Sequence, residues 1–298
     1  MFEAKLIALY FYICEKYDKE LKYHCQRYSN NSKPVFSDEE VLTIYLYVSI
    51  EEGRHTIKDI HRFANKYLRS WFPGLPSYQA FNNRLNRLNE VLRQLSVEVL
   101  SSQIPPDRNE QISLIDSMPV ITCSGKREGK VATELTCKGR CASKSMFFYG
   151  LKLHVVGWSR KGTIPWPEAI IVSNAADNDL TIFKENCGKW SNHRFYGDKI
   201  YYNKEWFADF EAQQNSQMYT PVKAIKGKSQ RLEQFDKAAE DIYSKLVSSI
   251  RQPIESFFNW LNVKTEIQKA HRVRSTKGLL VHIFGKIAVA FLYQLFNP

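Results

Sequence analysis

Three acidic residues stand where a sheet or a helix face would present them. "QISLID" ends on Asp116 and "HRFYGD" ends on Asp198. Both runs are rich in β-branched and aromatic residues, so each predicts a strand finishing on a carboxylate. Glu255 lies in "RQPIESFFNWLN", where Ile254, Phe257, Phe258 and Leu261 recur at helical spacing. It therefore borders an apolar helix face rather than the far polar one. The gaps between the three acids are 82 and 57 residues. Carboxylates are costly to desolvate without a donor or cation. Three of them gathered together would rise in pKa unless cations sat among them. Oxygen-only ligands favour Mg²⁺, with Mn²⁺ as its substitute. Such a cluster suits two-metal phosphoryl transfer, with ions roughly 3.5–4 Å apart stabilising the attacking and leaving oxygens.

Each acid also has a plainer reading. Asp116 could open a turn before Pro119, which would end a regular strand. Asp198 could be a turn residue before "KIYYN". Glu255 could simply pair with Arg251 one helical turn earlier, worth about 0.2–0.5 kcal/mol. Asp177 also follows a predicted strand and competes with Asp198 for the second position.

The charge balance narrows the partner. The chain has 298 residues and a formal net charge of +11. Residues 1–110 carry 15 Lys+Arg against 14 Asp+Glu, while residues 111–298 carry 27 against 17. A basic C-terminal two-thirds suggests a polyanion such as nucleic acid. No secretory signal is expected, because Glu3 and Lys5 follow Met1 and no small-residue cleavage site appears. "LLVHIFGKIAVAFLYQLF" (279–296) contains His282 and Lys286, and reads as a buried helix rather than a membrane span. The six cysteines form no C-x-x-C pairs. Zinc on Cys123, Cys137, Cys141 and His154 is therefore disfavoured, and the thiols are expected to be reduced.

These side chains must be held by two kinds of structure. The first hundred residues read as helices. "FSDEEVLTIYLYV" opens with Ser37 and has Glu40 three residues on, a capping box. "YQAFNNRLNRLNEVLRQLSVEVL" places Phe81, Leu85, Leu88, Leu92, Leu95 and Val99 on one stripe, a single amphipathic helix. Residues 101–110, with two prolines, mark a boundary. Strands follow at "QISLID", 147–158, 164–174, "HRFYGD" and "QMYTPVKA", with helices at 177–186, capped by Asp177, and at "NKEWFADFEAQ". From about 229 the chain turns helical again. The order predicts an α/β domain at 106–298 behind an all-helical region at 1–105. Lys152 and His154 share one face of an alternating strand and could meet phosphate. Residues 251–286 carry seven Lys+Arg against two acids, and residues 120–161 carry nine against two.

On "IDSMPV", "KGRCASKSMFFYGLKLHVV", "FYGDKIYY" and "RQPIESFFNWLN", the chain resembles bacterial insertion-sequence transposases with a DDE catalytic domain. The insertion sequence 982 family is the nearest in pattern, and the resemblance covers nearly the whole chain. It implies a ribonuclease H-like mixed-sheet domain with Asp116, Asp198 and Glu255 as the catalytic, metal-binding acids. "GDK" favours Asp198 over Asp177. Related families carry Y-x-x-R-x-x-x-E-x-x-x-x-x-x-K around the glutamate. Here Arg251 and Glu255 match, while Ser248 and Asn262 replace the tyrosine and the lysine. Arg251 is thus the expected phosphate contact, with Lys264 standing in for the missing lysine. Lys152, His154, Arg272 and Arg274 join it as expected DNA contacts. The implied activity is binding of terminal inverted repeats, cleavage at the element ends and transfer of the 3′-hydroxyls to target double-stranded DNA. The alternatives are a nuclease without strand transfer and an inactive DNA-binding relative. A homodimer or larger assembly on DNA, no membrane, and a cytoplasmic, nucleoid-associated location in a bacterium complete the expectation.

Overall fold

The structure is a computed structural model that describes residues 2–25, 34–126, 134–141, 144–222 and 230–297, with side chains in the long late helix described from 237. The chain forms two compact units. Residues 1–103, 127–136 and 261–298 make a helical unit, and residues 104–126 and 137–260 make a sheet-bearing unit. Residues 261–298 thus group with the first helices and not with the sheet.

The helical unit opens with α1 (Phe2–Lys19), α2 (Asp38–Glu51), α3 (Ile57–Tyr67), α4 (Tyr78–Arg87) and α5 (Asn89–Ser102). The Ser37 capping box is present: Glu40 N donates to Ser37 Oγ at 3.2 Å and Ser37 N donates to Glu40 Oε2 at 2.6 Å. The stripe predicted as one helix is instead two, parted at Leu88. Phe81, Leu85, Leu88, Leu92, Leu95 and Val99 are nonetheless all buried. Apolar spacing dictates which face goes inward but does not encode a bend.

The sheet unit holds β1 (Arg108–Ser124), β2 (Lys138–Cys141), β3 (Met146–Arg160), β4 (Trp166–Asn174), β5 (Arg194–Tyr196) and β6 (Gln217–Tyr219). The last two residues of the "QMYTPVKA" prediction lie outside the described residues, as do Arg127, Glu128 and Lys130 of the basic stretch. The sheet is mixed. β1 lies antiparallel to β3 and parallel to β5; β3 also pairs antiparallel with β2 and β4, and β5 pairs parallel with β6. Pro119 does not end β1. It pairs in register with Lys152 of β3, and the other edge of β1 pairs with β5 only at 112–114. A proline is tolerated in a ladder where its nitrogen meets no partner strand. Helices α6 (Asp179–Asn186) and α7 (Lys204–Gln214) flank a core of Ile115, Phe183, Trp190, Phe195, Tyr201 and Phe210. The cap of α6 is Asn178, whose Oδ1 accepts from Leu180 N at 2.9 Å, and not Asp177.

α8 (Gln230–Thr265) carries Arg251 and Glu255, and α9 (Thr276–Phe296) ends the fold. By length and composition α9 could cross a membrane, but it packs on α5 and α2. Its Lys286 Nζ donates to Thr265 O at 2.6 Å, and His282 Nε2 meets Ile267 O at 2.8 Å. Those two polar residues are thereby matched to carbonyls inside the helical unit.

Candidate active site

The β1–β5 ladder relates the first two acids. Leu114 pairs with Tyr196 at the last step of the parallel β1–β5 ladder. Asp116 and Asp198 each lie two residues beyond that pair. Asp116 continues along β1, whereas Asp198 lies past the end of β5 and caps the turn Lys199–Tyr201; its charge is nonetheless felt at Asp116. β1 itself continues, with Asp116 opposite Val155 of β3. Asp116 is therefore mid-strand, not the strand end that the sequence suggested. Asp198 turns the chain, its Oδ1 accepting from Ile200 N at 2.7 Å. Gly197 permits this approach, because a Cβ there would lie 2.9 Å from the Tyr201 ring and 3.0 Å from Ile115 Cγ1.

α8 adds the third acid through an arginine. Arg251 Nη1 donates to Asp116 Oδ2 at 2.9 Å, and its Nη2 donates to Glu255 Oε1. The other Asp116 oxygen accepts from Ser117 N at 2.8 Å. Arg251 is 15% exposed and Asp116 21%, whereas Glu255 is 56% exposed. The carboxyl of Asp116 is pushed up to about 6. Burial is the main cause; Arg251 and the Ser117 N–H oppose it, and the charges of Asp198 and Asp179 add to it. The buried Tyr201 hydroxyl is also raised, first by burial and then by Asp179, Asp116 and Asp198. These effects mark one electronegative locality formed by β1, the β5 end and the start of α6.

Asp179 is the residue that sequence reasoning missed. Its carboxylate is 9% exposed and accepts from Lys152 Nζ at 2.8 Å and from Ser117 Oγ at 2.9 Å. The "DND" run at 177–179 holds the signal, but the strand-end rule points to Asp177, two residues too early. Asp177 Oδ2 closes a turn by accepting from Asn174 N at 2.8 Å. Lys152 is thus already paired, and it also donates to Asp177 O at 2.7 Å. His154 is buried, its Nε2 2.8 Å from Ser173 Oγ. Burial drives its pKa down to about 4, so it is a neutral core group here rather than an exposed cation. Lys264, Arg272 and Arg274 belong to the helical unit. Lys264 Nζ lies 4.0 Å from the Tyr293 ring centroid, Arg272 Nη1 is 3.8 Å from Asp59 Oδ2, and Arg274 Nη1 donates to His271 O at 2.9 Å.

A serine–histidine–glutamate set also occurs. Ser113 Oγ lies 3.1 Å from His193 Nε2 and 3.2 Å from Glu168 Oε2. Ser113 is fully buried, so no substrate reaches it and the set serves to tie β1 to β4 and β5.

Donor chemistry, rather than a preformed cage, speaks to the metal. Among the described residues no group of three or more His, Cys, Asp or Glu is close enough to hold a metal ion. Instead Arg251 bridges Asp116 and Glu255, supplying positive charge between two carboxylates. Asp116, Asp198 and Glu255 offer only hard oxygen donors, which fits Mg²⁺ or Mn²⁺ once the guanidinium is displaced.

The sheet unit is of the mixed α/β class, with parallel and antiparallel strands in one sheet. A family model described as a transposase DDE domain matches residues 107–276. That is more than half of the chain, and the chain belongs to this family. Membership makes it a transposase and makes DNA its partner. No curated protein and no solved structure matches the chain.

Proposed function

We propose that the chain is an insertion-sequence transposase of the 982 type whose sheet unit is ribonuclease H-like, with Asp116, Asp198 and Glu255 as its catalytic acids. One observation carries this reading: Arg251 ties Asp116 to Glu255, and the charge of Asp198 acts on the same Asp116 carboxyl. The mixed sheet with β1 between an antiparallel and a parallel neighbour supports the fold assignment.

The three acids would hold divalent cations, which supply activation of the attacking oxygen and charge relief at the departing one. The residues of the chain do the positioning. Lys152 and Ser117 fix Asp179, and Ser117 N holds one Asp116 oxygen, so the β1 backbone aims that carboxylate. Asp116 must shed its proton to serve as a ligand, and its raised pKa sets the pH at which it does so. Arg251, released from its carboxylates, would seat a DNA phosphate. Lys264, Arg272 and Arg274 would contact DNA from the helical unit.

The protein would act as a homodimer or larger assembly on paired element ends, in the bacterial cytoplasm. Its substrates would be terminal inverted repeats and target duplex. A labelled, pre-cleaved element end tests this. Mg²⁺-dependent joining to target DNA is expected, and Asp116→Asn should abolish joining while DNA binding persists. Cleavage without joined product would instead make the protein a nuclease. Unchanged cleavage by Asp116→Asn would remove Asp116 from the mechanism.

A further inference from the structure

The helical unit contains a cleft of about 830 Å³ between α3, α4 and α9, with Lys286 at its lining. Three helix starts border it: Thr56 to Asp59 at α3, Tyr78 at α4, and Ser275 to Gly278 at α9. Helix N-termini present N–H groups and a positive dipole end to anions. The start of α9 already holds one anion, because Thr276 N donates to the Glu134 carboxylate at 2.8 Å.

Cations outnumber acids on these walls. Lys58, Arg62, Arg272 and Arg274 are exposed lining residues, and Asp59 is the one acid among the lining residues. Asp59 is shared: Arg62 Nη1 lies 3.3 Å from Oδ1 and Arg272 Nη1 3.8 Å from Oδ2. Lys58 has no ion-pair partner among the described residues. The guanidiniums of Arg62 and Arg272 are 69% and 64% exposed, so they stand out from the cleft rather than closing it. Several outward-facing cations spaced around helix starts match successive phosphates better than one small anion.

We propose that this cleft is a DNA-backbone site, in which Arg62, Arg272 and Arg274, with the α3 start, hold consecutive phosphates of a DNA strand. This rests on the reading of DNA as the partner, and it extends the contacts proposed for Arg272 and Arg274 to Arg62 and the α3 start, which line the same cleft. Asp59 acts as an internal competitor that DNA displaces. Phosphate contacts carry no sequence information, so the cleft positions DNA and does not read it.

The test is fluorescence anisotropy of the full chain with a labelled duplex across a salt series. Removing one cation that neutralises a phosphate should flatten the log K against log salt slope by about 0.9. Arg62→Ala, Arg272→Ala and Arg274→Ala should each flatten it on element and random duplexes alike. Asp59→Asn, which frees two arginines, should tighten binding, a gain that mere damage to packing would not produce. Wild-type slopes in all three arginine variants would overturn the proposal, as would a free nucleoside monophosphate binding as tightly as duplex. Wild-type protein that binds no DNA would instead sink the partner reading beneath it.

Discussion

Arg251→Gln isolates the guanidinium that bridges two candidate acids. It removes the 2.9 Å pair to Asp116 and the pair to Glu255 and leaves both carboxylates in place. An exposed ion pair contributes about 0–1 kcal/mol, and stranding one charge of a buried pair costs about 3–5 kcal/mol. Asp116 and Arg251 are 21% and 15% exposed, so the loss should fall between, at about 2 kcal/mol. The Glu255 limb is a half-exposed i,i+4 pair and adds only about 0.3 kcal/mol. Two assays read the result. Urea unfolding at pH 7.5 should show the midpoint falling with an unchanged slope. Titration of Asp116, followed by carboxyl NMR shifts, should move above its starting value of about 6, because Arg251 is the largest influence holding it down. Mn²⁺ should then bind more tightly at pH 8, where a competing cation is gone and the acid is still ionised. At pH 6 the order should reverse, because more of Asp116 is protonated. A stability loss under about 0.5 kcal/mol, the range of ordinary surface substitutions, together with an unmoved Asp116 titration, would refute the bridging argument.

Other outcomes follow from the same geometry. A carboxyl whose folded pKa lies above its unfolded value binds its proton more tightly when folded. Asp116 therefore stabilises the fold below about pH 4, and that contribution disappears as pH rises through about 6. Thermal melts should show this pH dependence in the wild type and lose it in Asp116→Asn. Asp179→Ala leaves Lys152 half-buried without its partner and should cost about 3 kcal/mol in denaturant unfolding; a cost under about 1 kcal/mol would contradict the pairing. Lys286→Met replaces a buried lysine whose pKa is driven down to about 7, chiefly by burial. A lysine with a depressed folded pKa loses stability as pH falls from the unfolded value of about 10.4 to the folded value of about 7, so wild-type thermal melts should drop across that window more than those of the variant, and the two should run parallel below about pH 7.

Particular residues show what sequence could and could not reveal. Ser37 and Glu40 are local partners three residues apart, and the capping box formed as written. Strand composition located β1, β3, β4 and β5, but β5 stops at Tyr196, so Asp198, read as the last residue of that strand, lies in the turn beyond it, where its plainer reading put it. β2 escapes sequence reading because "KGRC" is polar and owes its strand to the long β3 edge beside it. Pro119 misleads because its tolerance depends on which edge of β1 is unpaired, a non-local fact. Alternation makes His154 an outward strand residue, but β3 is covered along much of its length, and nearly every side chain from Phe148 to Gly157 is buried. Asp179 escapes because an acid beside an N-cap is an ordinary helix start; only Lys152, 27 residues earlier, gives it another role. Chain order assigns the terminal helix to the α/β domain, yet its apolar surface packs on α5.

If Asp116, Asp198 and Glu255 share a divalent cation, direct Mn²⁺ titration of the purified chain will reveal it without relying on catalysis. Electron paramagnetic resonance reads the free ion with no DNA present. Saturable Mn²⁺ binding is predicted, and Asp116→Asn, Asp198→Asn and Glu255→Gln should each weaken it by at least tenfold with folding intact. Binding that all three variants leave unchanged would contradict a shared metal site.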